Sequence, residues 1–375
     1  MLIAIPAETQ ANERRVAATP ETVKKMVAAG FDVQVQEGAG QGSMIDDAEY
    51  EAAGASIRAD LASTCAEADL VLKVQAPDAD ELVAMKRGAV VVAMFAPHAN
   101  PWLDRYLSQG LTCMALELIP RISRAQSMDV LSSQANIAGY KAVLLAAEHY
   151  PRYFPMLMTA AGTVQPARVL VLGAGVAGLQ AIATARRLGA VVEAFDVRAA
   201  TREQVESLGA RFIQLEGVDA EDERGYAREL TDEEKAQLDV LVAERTAAAD
   251  IVITTAQIPG RRAPELVKPE TVERMRKGSV IVDLAAASGG NCRLTQPDQV
   301  IVHHGVALVG ITNVPSLMAA DASLLFARNV WNFVQLLVHD QGTIDSHVDD
   351  EIVTASMLCR EGEWLKPEYR QGGES

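Results

Sequence analysis

The stretch ARVLVLGAGVAGLQAIATARRLGAVVEAFD, residues 167–196, decides the fold. Arg168 to Leu172 is a short apolar run rich in β-branched residues, the pattern of a buried parallel strand. It runs directly into Gly173-Ala174-Gly175-Val176-Ala177-Gly178, a G-x-G-x-x-G. A helical pattern without an internal breaker follows and stops at Gly189, in the C′ position. A second apolar run, Ala190 to Phe195, ends on Asp196. Each segment has a physical task. Gly173 permits the tight turn, Gly175 lets a pyrophosphate approach the backbone, and Gly178 lets helix and strand pack closely. The helix N-terminus presents free N–H groups and a positive dipole end to that anion. A carboxylate at the tip of the second strand accepts ribose hydroxyls and repels a 2′-phosphate, so Asp196 favours NAD over NADP.

Composition narrows the classes. A chain of 375 residues is too long for one ordinary core, so two domains are expected. Its 34 basic against 50 acidic residues give a net charge of −16, which argues against nucleic acid and against docking on anionic lipid by charge alone. No apolar run reaches membrane-spanning length, and MLIAIPAET enters a strand without a basic export region. Cys65, Cys113, Cys292 and Cys359 are widely separated, as suits thiols in a reducing cytoplasm, and form neither a zinc motif nor a disulfide frame.

Outward from the glycine turn, strand and helix signals alternate. Residues 1–119 carry candidate strands at Leu2–Ile5, Phe31–Gln36, Leu70–Gln75, Ala89–Phe95 and Leu111–Leu116. Candidate helices lie at Pro20–Ala29, Asp46–Ala53, Leu82–Lys86 and Pro101–Ser108, stopped by Gly30, Gly54, Gly88 and Gly110. The first strand–loop, IPAETQANERR, has no glycine fingerprint, so this unit reads as a nucleotide-fold relative without a phosphate cradle. A helix is expected from about Ser132 to Glu148, and the second unit starts at Ala167. After Phe212–Leu215, residues 216–236 are highly charged and read as a structureless, mobile loop. Strands resume at Ile251–Thr255, Val280–Leu284 and Val306–Val309. An amphipathic helix follows over 321–338, with Asp321 as candidate N-cap, and then a short polar tail that packs back on the first unit. The expected fold is α/β: two Rossmann-like domains with parallel sheets, separated by a cleft and joined by connecting helices. The expected division is 1–131 plus 316–375 against 132–315.

An NAD dehydrogenase acting on a hydroxy or amino acid moves a proton as well as a hydride, and so needs a positioned acid/base. None of His98, His149, His303, His304, His339 and His347 sits at a strand end near a carboxylate in a catalytic spacing. His303-His304 and His98 read as ordinary surface or core histidines. No H-x-x-x-H, CxxC or carboxylate-rich loop appears, so no metal site is expected.

The segments RVAATPETVKKM, RISRAQSMDVLSSQANIAGYKAV, MTAAGTV, GAGVAGLQAIATARRLGA, DVRAATREQVESLGARF, TTAQIPG, VDLAAASGGN and TNVPS resemble the NAD(H)-binding component of proton-translocating nicotinamide nucleotide transhydrogenase. The resemblance covers essentially the whole chain, and RISRAQSMD is its most specific piece. It implies hydride transfer between NAD(H) on this chain and NADP(H) on a partner subunit, coupled to proton movement through a membrane-spanning subunit. It also implies a homodimer, inactive alone, held at the cytoplasmic face of the inner membrane only by its partners. The missing acid/base agrees, because exchange between two nicotinamides releases no substrate proton and requires only orientation and exclusion of water.

By the same resemblance, Arg121, Gln126 and Asp129 form the loop that orients the nicotinamide end and serve catalysis, with Ile122, Ser123, Ser127, Met128 and Ser132 beside them. Gly173, Ala174, Gly175, Val176, Gly178, Asp196, Val197, Arg198 and Gln257 would line the rest of the NAD site, and Gly225-Tyr226 match a loop that folds over nucleotide. The alternative is an alanine dehydrogenase-like NAD-dependent amino-acid oxidoreductase. Two of that enzyme's substrate residues find counterparts in Arg15 and Lys73, but its catalytic histidine and aspartate fall on Ala96 and Ala287. Arg15 and Lys73 then read as inherited ion-pairing residues.

Overall fold

The computed structural model describes residues 1–214, 231–258 and 260–369. Gly225 and Tyr226 lie outside them, as does most of the stretch read as a mobile loop. In chain order the strands are β1 (Leu2–Ile5), β2 (Asp32–Gln36), β3 (Ser56–Arg58), β4 (Leu70–Gln75), β5 (Val90–Met94) and β6 (Thr112–Ala115). A hairpin of β7 (Leu157–Thr159) and β8 (Gly162–Val164) precedes β9 (Arg168–Leu172), β10 (Val191–Phe195) and β11 (Arg211–Ile213). Then come β12 (Ile251–Thr254), β13 (Val280–Asp283), β14 (Val300–His303), β15 (Val306–Val309), β16 (Met357–Arg360) and β17 (Glu363–Trp364). They belong to two compact units, Met1–Gln134 with Ser316–Ser375, and Ala135–Pro315.

The expected α/β class with parallel sheets is what the fold is. In the first unit the order β3-β2-β1-β4-β5-β6 is parallel throughout, and β16 and β17 extend it antiparallel beyond β6. In the second, β11-β10-β9-β12-β13-β15 is parallel and β14 joins its edge antiparallel. Both have the doubly wound arrangement in which the strand order reverses next to the first strand. A crevice opens there, outside the carboxyl ends of the strands. Burial on both faces explains the unbroken apolar runs. Val169 and Val171 enter one core layer, whereas Leu170 and Leu172 enter the other.

Several boundaries differ from the sequence reading. The fourth helix is Ala79–Ala84, not Leu82–Lys86, because the Asp78 carboxylate accepts from the Asp80 and Glu81 amides and starts it earlier. Residues 232–236 are not loop. They open the helix Asp232–Ala248, whose capping box pairs Thr231 with Glu234. Asp321 is not an N-cap: the helix runs Ala319–Val334 from Met318, which places Asp321 in its first turn, where its charge still complements the dipole. The tail is more than a polar end, since β16 places Met357, Leu358 and Cys359 in the first unit's core. Among the described residues no helix is long and apolar enough to cross a membrane.

Candidate functional site

In the second unit the glycine turn leaves the carboxyl end of β9 and enters the helix Val176–Arg187. Gly173 has φ +103°, and a Cβ there would stand 2.4 Å from Thr255 Oγ1. A Cβ on Gly178 would meet the Gly173 carbonyl oxygen at 1.9 Å, so these two glycines are demanded by packing. Gly175 differs: a Cβ there would project into open space, with nothing within 4 Å. That opening lies where the helix begins, at an N-terminus with no side-chain cap, the place for an anion to approach the backbone. Val176, on the helix's first turn, is exposed.

Asp196 follows β10 and is 7% exposed. Its Oδ2 accepts from the Ala174 amide at 2.7 Å, tying the strand tip to the turn. Oδ1 accepts from the Arg198 amide at 2.9 Å, and the Arg198 guanidinium reaches both oxygens at 3.1 Å. Val197 between them is half-buried against the core. Gln257, beyond β12, is exposed and donates Nε2 to the Leu284 carbonyl at 2.9 Å. The structure thus gathers Gly173–Gly178, Asp196–Arg198 and Gln257 at the carboxyl ends of β9, β10 and β12.

Sequence reasoning passed over the groups that hold this arrangement rigid. Thr255 Oγ1 donates to the Gly173 carbonyl at 3.1 Å. Asn291 accepts from the Ala256 amide at 3.1 Å and donates to the Ala256 and Pro264 carbonyls, each at 2.8 Å. The Asp283 carboxylate accepts from Thr254, Ala285, Cys292 and Thr295. A Cβ on Gly139 would meet the Ala177 carbonyl oxygen at 2.0 Å, so the helix Val130–His149 passes that close to the nucleotide helix. The signal was present in TTAQIPG, VDLAAASGGN and a glycine inside a helical pattern.

In the first unit, residues 121–132 form a short 3₁₀ turn, Ser123–Met128, leading into that helix. Ala125 and Met128 are buried and Ile122 packs on the same core, which anchors the turn and turns the Met128 side chain inward. Asn329 and Asn332 donate to the Ser127 carbonyl at 2.8 and 3.0 Å. Asp129 accepts from the Ser132 amide at 2.8 Å and from its hydroxyl at 2.6 Å, capping the helix. Arg121, Ser123 and Gln126 are exposed on this pinned frame.

The crevice between β1 and β4 is filled by charge. Glu13 accepts from Arg15 Nη2 at 2.6 Å, and Arg15 Nη1 donates to Gln134 at 2.9 Å. Lys73 Nζ lies 3.2 Å from Glu8 and 2.7 Å from Glu81. Burial works to raise the Glu13 pKa, but the Arg15 guanidinium outweighs it and holds the carboxyl down at about 2. Burial pushes Glu8 up against the pull of Lys73. Arg15 and Lys73 are therefore neutralised by the chain's own carboxylates, as the ion-pairing reading anticipated. At Ala96, the backbone is left-handed (φ +46°) and its amide donates to Glu117. Burial pushes the Glu117 carboxyl up to about 7, and its Oε2 has no hydrogen-bond partner among the described residues.

A raised carboxyl pKa favours the folded state fully below about pH 4.5, and that advantage is lost as pH rises through about 7. Glu117→Gln keeps an acceptor for the Ala96 amide and has nothing to deprotonate. Measured against the native chain, it should gain on the order of 1–2 kcal/mol in stability between pH 5 and pH 8. A pH-independent difference in melting temperature would contradict the burial of that charge.

Two family models match, the alanine dehydrogenase/PNT N-terminal domain over residues 4–138 and its C-terminal domain over 142–367. The chain is 50% identical over 377 residues to an NAD(P) transhydrogenase alpha subunit of Rhodospirillum rubrum, with 98% of each chain covered. The crystal structure of a transhydrogenase from Sinorhizobium meliloti superposes with a TM-score of 0.89 at 49% identity, covering 97% of this chain and 100% of that one. Alanine dehydrogenase of Mycolicibacterium smegmatis stands further off, at 30% identity over 97% of this chain and 95% of its own. The chain belongs to the alanine dehydrogenase/PNT family, on the branch of the NAD(P) transhydrogenase alpha subunits.

Proposed function

We propose that this chain is the NAD(H)-binding subunit of a transhydrogenase. Hydride passes between NAD(H) on this chain and NADP(H) on a partner subunit, coupled to proton translocation by a membrane-spanning subunit. The observation that carries the reading is the Asp196 carboxylate, bonded to the Ala174 amide beside the open face of Gly175. The open face admits a pyrophosphate to the helix N-terminus. The carboxylate receives ribose hydroxyls and repels a 2′-phosphate. Bound there, the nicotinamide supplies the hydride chemistry, and the chain's own residues bind, orient and exclude water.

Arg121, Gln126 and Asp129 do the orienting in this reading, with Ile122, Ser123, Ser127, Met128 and Ser132 as their frame. A guanidinium and an amide on a pinned turn can hold a carboxamide, and none of these groups has to take a proton from substrate. Alanine dehydrogenation is disfavoured on the same grounds. Arg15 and Lys73 are paired, and alanine side chains occupy positions 96 and 287.

The functional form in this proposal is a homodimer. On the β7–β8 hairpin Met158 is 71% exposed, with Met156 and Leu157 exposed beside it, an apolar surface that a second copy would cover. Sedimentation equilibrium should give twice the chain mass. The complex would sit at the cytoplasmic face of the inner membrane through its partners.

The deciding experiment adds the NADP(H)-binding partner and an oxidised NAD analogue, and follows NADPH-dependent reduction of the analogue. Turnover should require both chains. Reduction of pyruvate with ammonium and NADH by this chain alone would overturn the proposal. Asp196→Asn keeps an acceptor for the Ala174 amide and removes the charge. It should lower the ratio of NADH to NADPH affinity about tenfold, the scale of one charged hydrogen bond. An unchanged ratio would remove Asp196 from the ribose role.

A further inference from the structure

Far from the glycine turn, three side chains of the second unit converge. One ligand atom from each of Glu273, His303 and His304 lies within 4.8 Å of the other two. His303 ends β14, and His304-Gly305 is the two-residue loop to β15, closed by the pairing of His303 with Val306. Both loop residues have positive φ, +49° and +81°, the pattern of a type I′ turn. Consecutive residues on a strand point to opposite faces. The left-handed backbone at His304 instead brings its ring beside that of His303, with centroids 4.7 Å apart and planes tilted by 31°.

Glu273, the last residue of the helix Pro269–Glu273, completes the group. Its Oε1 stands 3.6 Å from His303 Nε2 and 3.8 Å from His304 Nε2. These separations exceed hydrogen-bond reach, and His303 Nε2 is shut off from solvent without any hydrogen-bond partner among the described residues. A buried ring nitrogen left in that state needs a reason.

We propose that Glu273, His303 and His304 form a binding site for a divalent first-row transition ion of the zinc class. Ligand atoms 2.0–2.2 Å from a tetrahedral ion stand about 3.4 Å apart. The two nitrogen–oxygen separations need close by only a few tenths of an ångström to reach that edge. Two imidazoles and one carboxylate select zinc, cobalt or nickel over magnesium and calcium, which take oxygen donors. Glu273 and His304 are exposed, so the fourth position is open to water.

The site fastens the edge hairpin β14–β15 to the helix that precedes β13. Its turn lies at the amino ends of the parallel strands, where the Gly278 amide donates to the Gly305 carbonyl at 2.7 Å, and Gly173 lies at a carboxyl end. An ion there does not compete with nucleotide. It acts as a staple that stabilises the second unit in proportion to its occupancy.

The test titrates the full chain with Co²⁺ and follows the visible absorption of tetrahedral cobalt, then displaces it with Zn²⁺. One such site per chain is expected, together with a zinc-dependent rise in melting temperature and an NADH affinity that is the same in zinc and in chelator. His304→Asn keeps a residue that tolerates the left-handed turn, so its melting temperature without metal should match the native chain. It should weaken cobalt binding about tenfold or more, and Glu273→Gln should do the same. Native cobalt spectra and an undiminished zinc-dependent rise in both variants would overturn the proposal, as would the absence of tetrahedral absorption in the native chain.

Discussion

Gly175→Ala should leave the protein folded and abolish most of its NADH binding, whereas Gly178→Ala should damage the fold itself. The two glycines stand three residues apart in one motif, and their surroundings separate the outcomes. At Gly175 a methyl group meets nothing within 4 Å, and the residue's φ of −76° suits alanine, so the native chain accommodates it. The methyl group occupies the opening through which a pyrophosphate would reach the helix N-terminus. A loss of about a hundredfold in NADH affinity with an unchanged melting temperature is expected, equivalent to about 2.7 kcal/mol. At Gly178 the methyl carbon would lie 1.9 Å from a backbone oxygen, so β9 and its helix must separate. That overpacking costs about 1–3 kcal/mol or more, visible as a lower melting temperature without any ligand. Calorimetry of both variants, with and without NADH, reads the two effects. If Gly175→Ala bound NADH normally, the open face would not be the pyrophosphate's place.

Gln126→Ala, assayed with the NADP(H)-binding partner, should slow hydride transfer about a hundredfold and weaken NADH binding only a few-fold. The rate figure is the scale on which a small misplacement of reacting groups acts. Gln126 is the informative choice because its side chain is exposed, while neighbouring residues carry the structure. Ala125 and Met128 anchor the turn, Ser127 is held by Asn329 and Asn332, and Asp129 caps the helix. Asp129→Ala would mix a lost cap, worth about 1 kcal/mol, with any effect on orientation. Single-turnover kinetics beside equilibrium NADH binding separates the two quantities. Equal losses in rate and affinity would mean that the amide only holds the nucleotide.

The residues that were readable in advance share a property: their meaning is local. The turn 173–178, its strand, its helix, the Gly189 stop and Asp196 fall within thirty residues, and backbone geometry dictates each choice. The helix from Asp232 was also locally signalled, by Thr231 and Glu234 in capping-box spacing. Its charged face and weak apolar periodicity hid it, because burial of Val242 and its neighbours comes from packing against the sheet.

What escaped the sequence depends on partners brought together from a distance. Cys359 in β16 pairs with Cys113 in β6 across most of the chain, and nothing in a four-residue strand names that partner. Thr255 locks Gly173 from a strand 82 residues later. Lys73 reads as a free cation in LVLKVQAP until Glu8 and Glu81 are seen on either side of it. His303-His304 reads as an ordinary surface pair until Glu273 arrives thirty residues upstream.

By itself, then, the sequence determined the class, the two doubly wound units and the place and kind of the nucleotide turn. Those follow from strand and helix periodicity and from glycines that only certain backbones need. The tertiary structure decided which glycine faces open space, which charges are already neutralised, and which imidazoles converge. These are properties of through-space distance and burial, and no one-dimensional spacing encodes them.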